Sequence, residues 1–146
     1  MSRILRLARP LFDLFWRIAG WRHPKMTGAQ TKIVQTLLAW EDVTQQPHRF
    51  GGVEFRLGSR EIGHIHGDWL VDIPFPTKVR DEVVAAGLAD PHHILPNSGW
   101  ISRYLHQPED VETAIDLLRR SYEIALVQRS KRSTLNPPTD SQKELP

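Results

Sequence analysis

Gly51-Gly52-Val53-Glu54-Phe55-Arg56-Leu57-Gly58-Ser59-Arg60-Glu61-Ile62-Gly63-His64-Ile65-His66-Gly67-Asp68-Trp69-Leu70-Val71-Asp72-Ile73-Pro74 is the stretch that decides the fold. Val53, Phe55 and Leu57 alternate with Glu54 and Arg56, the period-2 pattern of a strand buried on one face. Gly58-Ser59 supplies a turn, and a second strand runs from about residue 60 to 66. Gly67-Asp68 turns the chain again into Trp69-Leu70-Val71-Asp72-Ile73, so the segment reads as a three-stranded meander. Pro74-Phe75-Pro76 ends it, because proline donates no hydrogen bond to a ladder.

On the carboxyl side, Thr77 can cap a short helix through Ala86, with Gly87 placed to end it. The stretch 90–98 is dense in turn formers. In 99–105, Trp100, Ser102 and Tyr104 alternate against Ile101, Arg103 and Leu105, which predicts a fourth strand. Pro108 then opens a long helix, with Glu109, Asp110 and Glu112 in its first turn and Val111, Ala114, Ile115, Leu118, Tyr122 and Leu126 on its apolar face. On the amino side, Thr27 with Gln30 matches a capping box for a helix over about 28–40, with Ile33, Val34, Leu37 and Leu38 facing the core. Strands and helices in mixed order predict an α+β domain, a four-stranded mainly antiparallel sheet covered by helices. It spans 27–128, after a basic segment at 1–26 and before a polar, proline-bearing disordered tail at 129–146.

The chain has 146 residues, so one domain plus tails is expected. The absence of cysteine excludes a disulfide framework, a thiolate metal site and a cysteine nucleophile. Net charge is only +2, but it is unevenly placed: residues 1–26 carry six Lys/Arg against one Asp, and residues 27–126 carry nine against fourteen acids. A folded part that is acidic argues against nucleic acid as a partner. Residues 3–21 sort on a helical wheel into a polar arc of Arg3, Arg6, Arg9, Pro10, Asp13, Arg17 and Gly20 and a broad apolar face containing Phe12, Phe15 and Trp16. Asp13 and Arg17 interrupt the run too early for a membrane span. Three readings of this amphipathic helix stand open: packing on its own domain or in a homo-oligomer, lying on an anionic membrane surface, and an organelle transit peptide. The expected location is cytoplasmic, peripheral at a membrane if the second reading holds.

Five of the seven histidines fall within 63–106, including the pairs His64/His66 and His92/His93. Residues two apart on a strand point the same way, so His64 and His66 project together. Two metal ligands, acid–base groups, and histidines that brace the hairpin through Asp68 or Asp72 all suit that arrangement. His92 and His93 can approach the hairpin because the intervening helix returns the chain to the sheet. No phosphate-binding glycine loop or nucleophile elbow is present.

The motifs Phe50-Gly51-Gly52-Val53-Glu54-Phe55, Glu61-Ile62-Gly63-His64-Ile65-His66-Gly67, Asp72-Ile73-Pro74-Phe75-Pro76, Val79-Arg80-Asp81-Glu82 and Pro91-His92-His93-Ile94-Leu95-Pro96-Asn97-Ser98-Gly99-Trp100 occur in one order. Together they resemble the luciferase domain family, named after fungal luciferase, over about residues 30–124. That family's fungal members oxidise a 3-hydroxylated hispidin with molecular oxygen, without metal or flavin. The resemblance implies His64, His66, Asp72, His92 and His93 as polar site residues, with Trp69, Arg80, Trp100 and Arg103 supplying stacking and anion contacts. It implies a small aromatic or enolic molecule as partner, and neither a metal nor another cofactor. A cofactor-independent oxygenase-like enzyme is thus one expectation. A noncatalytic binding or membrane-adaptor domain with structural histidines is the other.

Overall fold

The computed structural model describes residues 27–136, which form an α+β domain. Helix α1 (Ala29–Leu38) is followed by strands β1 (Val43–Pro47), β2 (Val53–Leu57), β3 (Arg60–His66) and β4 (Leu70–Pro74). Helix α2 (Thr77–Ala85), strands β5 (Asp90–Pro91) and β6 (Trp100–Tyr104), and helix α3 (Pro108–Leu135) complete it. All six strands join one antiparallel sheet in the order β1-β2-β3-β4-β6-β5. The amphipathic helix expected at 3–21 and residues 137–146 lie outside the described residues.

The meander stands where the alternation put it, but the sheet has six strands, not four. β1 was hidden because it is a polar edge: after Val43 its residues are exposed, so no alternation shows, and Pro47 is tolerated only because the strand has one neighbour. β5 is two residues long, too short for any periodicity. At the far end α3 continues through Leu135, past the boundary expected for a tail. The Ser133 and Thr134 hydroxyls there donate to carbonyls four residues back, which accommodates polar residues in a last turn free of proline.

Among the described residues, helices cover one face of the sheet only. Ile33 and Leu37 of α1 and Val111, Ala114, Leu118 and Tyr122 of α3 pack against Phe55, Leu57, Ile65, Val71, Ile73 and Ile101 in a single core. α3 crosses β2, β3, β4 and β6, and Gly63 lets it approach. Gly63 has φ +149°, and a Cβ there would sit 2.5 Å from Leu118 Cδ2 and 3.0 Å from the Asp72 carbonyl oxygen.

Two helix ends bear on the site. The start of α1 is not closed by a Thr27–Gln30 box. Instead the Asp68 carboxylate, in the β3–β4 turn, accepts the Gly28 and Gln30 N–H groups at 3.3 and 2.8 Å, tying the hairpin to the helix. The start of α3 does follow its sequence signs, with Pro108 in the first turn and a reciprocal box between Gln107 and Asp110.

Candidate functional site

The face of the sheet away from the helices is crossed by one row of polar residues. Gln46 of β1 pairs with Glu54 of β2, Glu54 with His64 of β3, His64 with Asp72 of β4, Asp72 with Ser102 of β6, and Ser102 with Asp90 of β5. Paired residues share a face, so Glu54, His64, Asp72 and Ser102 lie side by side, with Phe55, Ile65, Val71 and Ile101 behind them. His66, two residues along β3, joins the same face. A β-bulge adds Glu61: Phe55 pairs with Gly63 and Arg56 with Glu61, leaving Ile62 as the extra residue. Ile62 drops into the core, and Glu61 turns onto the His64 side, where its Oε1 is 2.5 Å from His64 Nδ1.

Residues after β5 fold over this row. His92 Nδ1 accepts the N–H groups of Ile94 and Leu95 at 3.2 and 3.0 Å, which curls the loop. Ser98 holds the loop's exit through Leu95 O and Trp100 N. The Arg80 guanidinium reaches the Pro96 carbonyl from α2.

Asp72 is the centre, with no exposed surface. Its Oδ1 accepts the Ser102 hydroxyl at 2.6 Å, and Ser102 Oγ in turn lies 3.1 Å from His93 Nδ1 and 3.3 Å from the His93 N–H. Its Oδ2 has the Nε2 atoms of His66, His64 and His92 at 3.2, 3.3 and 3.5 Å, yet none of them is aligned for a hydrogen bond. His48, from the end of β1, stacks on His64 with ring centroids 3.8 Å apart. Trp100 lies tilted against His64 and edge-on to His92, and Trp69 closes the far side of His66 at 6.4 Å.

The protons are assigned from partners. Ser102 gives its hydrogen to Asp72, so it accepts from His93 Nδ1–H; the His93 Nε2 is then the free acceptor, on a ring that is 27% exposed. The two N–H groups pointing at His92 Nδ1 make that atom an acceptor, and the ring hydrogen is on Nε2, toward Asp72. Burial holds His92 below its ordinary pKa, and the neighbouring imidazoles of His93, His64 and His66 lower it further against the opposing pull of Asp72, in keeping with a neutral ring. Burial likewise lowers His48, and the His64 charge lowers it further. For His64 burial also disfavours charge, but the contacts with Asp72 and Glu61 outweigh it and raise the pKa to about 9. For Asp72 burial would raise the pKa, whereas His64, His66 and Ser102 hold it well below the usual carboxylate range. Asp72 is therefore an anion at neutral pH.

The structure brings His64, His66, Asp72, His92 and His93 together, with Trp69 and Trp100 beside them. It does not bring Arg103 or Arg80. Arg103 alternates with Ser102 and so points through to the helix side, where it is buried against Asp110 and the Leu88 carbonyl and helps anchor the start of α3. Arg80 pairs with Asp81 and braces the loop from outside. Asp68, one of the two acceptors considered for the hairpin, is committed to α1. Residues that the sequence reading left out of the site are Ser102, Glu61, Glu54 and His48. Ser102 carried a signal, its strand alternation with Trp100.

Fold and site define a class: an α+β domain whose antiparallel sheet bears helices on one face and, on the other, a buried carboxylate ringed by histidines. A model of the luciferase domain family matches residues 59–121. The matched segment holds Glu61, His64, His66, Asp72, His92, His93 and Ser102; His48 and Glu54 precede it. No curated protein and no solved structure matches the chain.

Proposed function

We propose that the histidine cup binds a small aromatic or enolic molecule and that His93 is its general base, in an oxygenase-like reaction of the kind the family resemblance implies. The observation that supports this most is the line from Asp72 Oδ1 to Ser102 Oγ to His93 Nδ1, at 2.6 and 3.1 Å, which leaves Nε2 as a directed acceptor. An anionic residue behind a histidine orients the ring and stabilises the imidazolium that forms. His93 Nε2 takes the proton of an acidic hydroxyl, and the resulting electron-rich enolate is the species that reacts with molecular oxygen. Trp100 and Trp69 offer flat surfaces, and the exposed Phe50, Ile94 and Leu95 give the loops around the cup an apolar rim suited to such a ligand.

The test uses a 3-hydroxylated hispidin as probe, with binding read by fluorescence and turnover by oxygen consumption. His93→Gln is expected to bind the probe within a few-fold of the parent and to lose about 100-fold or more in rate. Full turnover by His93→Gln removes the base from the reading, and a parent chain that does not bind the probe removes the substrate class. A second reading, a noncatalytic domain with structural histidines, is favoured by His92: its Nδ1 is spent on two backbone N–H groups of its own loop. Under it, His92→Ala and His93→Gln lower the melting temperature and change no ligand affinity.

A further inference from the structure

The Oδ2 side of Asp72 is a separate matter from the Oδ1 side that serves His93. A carboxylate oxygen without exposed surface is surrounded by imidazole nitrogens at 3.2 to 3.5 Å, and no hydrogen bond joins any of them to it. A buried anionic oxygen left so is costly. The separations have a simple geometric source. Nitrogen and oxygen ligands about 2.0–2.2 Å from one ion lie roughly 3.0–3.5 Å from each other in octahedral and tetrahedral arrangements.

Two of the three imidazoles qualify as ligands and one does not. His92 carries its hydrogen on Nε2, because two backbone N–H groups occupy Nδ1, so it has no lone pair to offer an ion at Oδ2. His64 has its Nδ1 against Glu61 Oε1 at 2.5 Å, the outer carboxylate that a ligating histidine uses to place a lone pair on Nε2. His66 presents Nε2 to the same oxygen and is not crowded by a second acid. His48 adds a further imidazole beside them: one ligand atom each from His48, His64 and His66 lie within 4.8 Å of one another, and His48 Nδ1 is buried without a hydrogen-bond partner.

We propose that His64 Nε2, His66 Nε2 and Asp72 Oδ2 hold one divalent first-row transition-metal ion. Two histidines and one carboxylate on one side of an ion leave its remaining positions open, the arrangement that suits ferrous or manganous ions awaiting an exchangeable oxygen ligand. Two carboxylates, Glu61 and Asp72, converge on this spot and favour a cation. The bulge at Ile62 gains a purpose, since it delivers the outer acid to His64. The site departs from the metal-free chemistry that the family resemblance implies, and it does not rest on the His93 reading, since its test measures the ion alone.

The full chain is stripped with a chelator and titrated with Mn(II), Zn(II) and, without air, Fe(II). Heat release and native mass are recorded. One equivalent is expected to bind with Kd at or below about 1 μM and to raise the melting temperature. His66→Gln, at a partly exposed position that tolerates exchange, is expected to weaken binding by more than about 10-fold, beyond the least that an outer-shell change produces. Glu61→Gln is expected to weaken it less, and His93→Gln to leave it unchanged. Binding by the parent only above about 0.1 mM, or equal binding by the parent and a folded His66→Gln, overturns the proposal.

Discussion

Replacing Gly63 by alanine strikes the point where α3, β3 and the site strand β4 touch. Two costs add. The backbone sits at φ +149°, which side-chain-bearing residues rarely adopt, a penalty of about 1–3 kcal/mol. The new methyl would also meet Leu118 Cδ2 at 2.5 Å and the Asp72 carbonyl oxygen at 3.0 Å, and overpacking of this kind costs a further ~1–3 kcal/mol. The sum is a large fraction of the roughly 5–15 kcal/mol that holds a domain folded. At about 4 °C per kcal/mol for a domain of this size, the melting temperature should fall by about 8–24 °C. Thermal melts and urea midpoints on the metal-free chain measure it. The two causes separate in a double-mutant cycle: Leu118→Ala removes the atom in the way, so the double variant should lose less than the sum of the singles by about 0.5–3 kcal/mol. A fall of under about 2 °C, or strict additivity with Leu118→Ala, would refute the account of how α3 seats on the sheet.

Asp110→Ala should destabilise by about 3–5 kcal/mol in urea denaturation, because it removes the carboxylate from the buried Arg103 and also frees the His106 and Gln107 N–H groups; an unchanged midpoint would place that pair in solvent. In chelator-treated protein, His64 is raised from its ordinary 6.5 to about 9 by Asp72 and Glu61 against the opposing effect of burial. Its stabilisation is then complete below pH 6.5 and disappears as pH climbs through 9, a loss of at most about 3 kcal/mol. Glu61→Gln should flatten that profile, and a parent whose stability is level from pH 6 to 10 would contradict it. Finally, the basic, aromatic-rich composition of residues 3–21 supports attachment to anionic lipid: the full chain should pellet with phosphatidylserine vesicles and a chain lacking residues 1–22 should not, whereas a full chain that stays in the supernatant ends that reading.

The meander was legible because its apolar residues alternate, and with it the shared direction of His64, His66 and Asp72. The approach of His92 and His93 followed from topology, since a helix between two strands of one sheet returns the chain to it. The contributions that escaped depend on pairing between distant residues. Nothing local in Ser102 says that it stands opposite Asp72; the β4–β6 register does. Glu61 and His64 are three apart, a spacing that separates them on a regular strand, and only the bulge joins them. His48 needed β1, whose exposed Thr44, Gln45 and Gln46 do not advertise a strand. Arg103 entered the site only through the family resemblance, whereas its alternation with Ser102 points it to the helix side, where it meets Asp110.

The bulge at Ile62 also sets a rule of length. Deleting one residue there would restore even pairing between β2 and β3, a repair as far as the ladder is concerned. It would keep Glu61 opposite Arg56 on the His64 face, but it would take the fully buried Ile62 side chain out of the core and leave a cavity there. The extra residue thus serves both faces at once, giving the core an isoleucine while the acid stays on the side of its histidine.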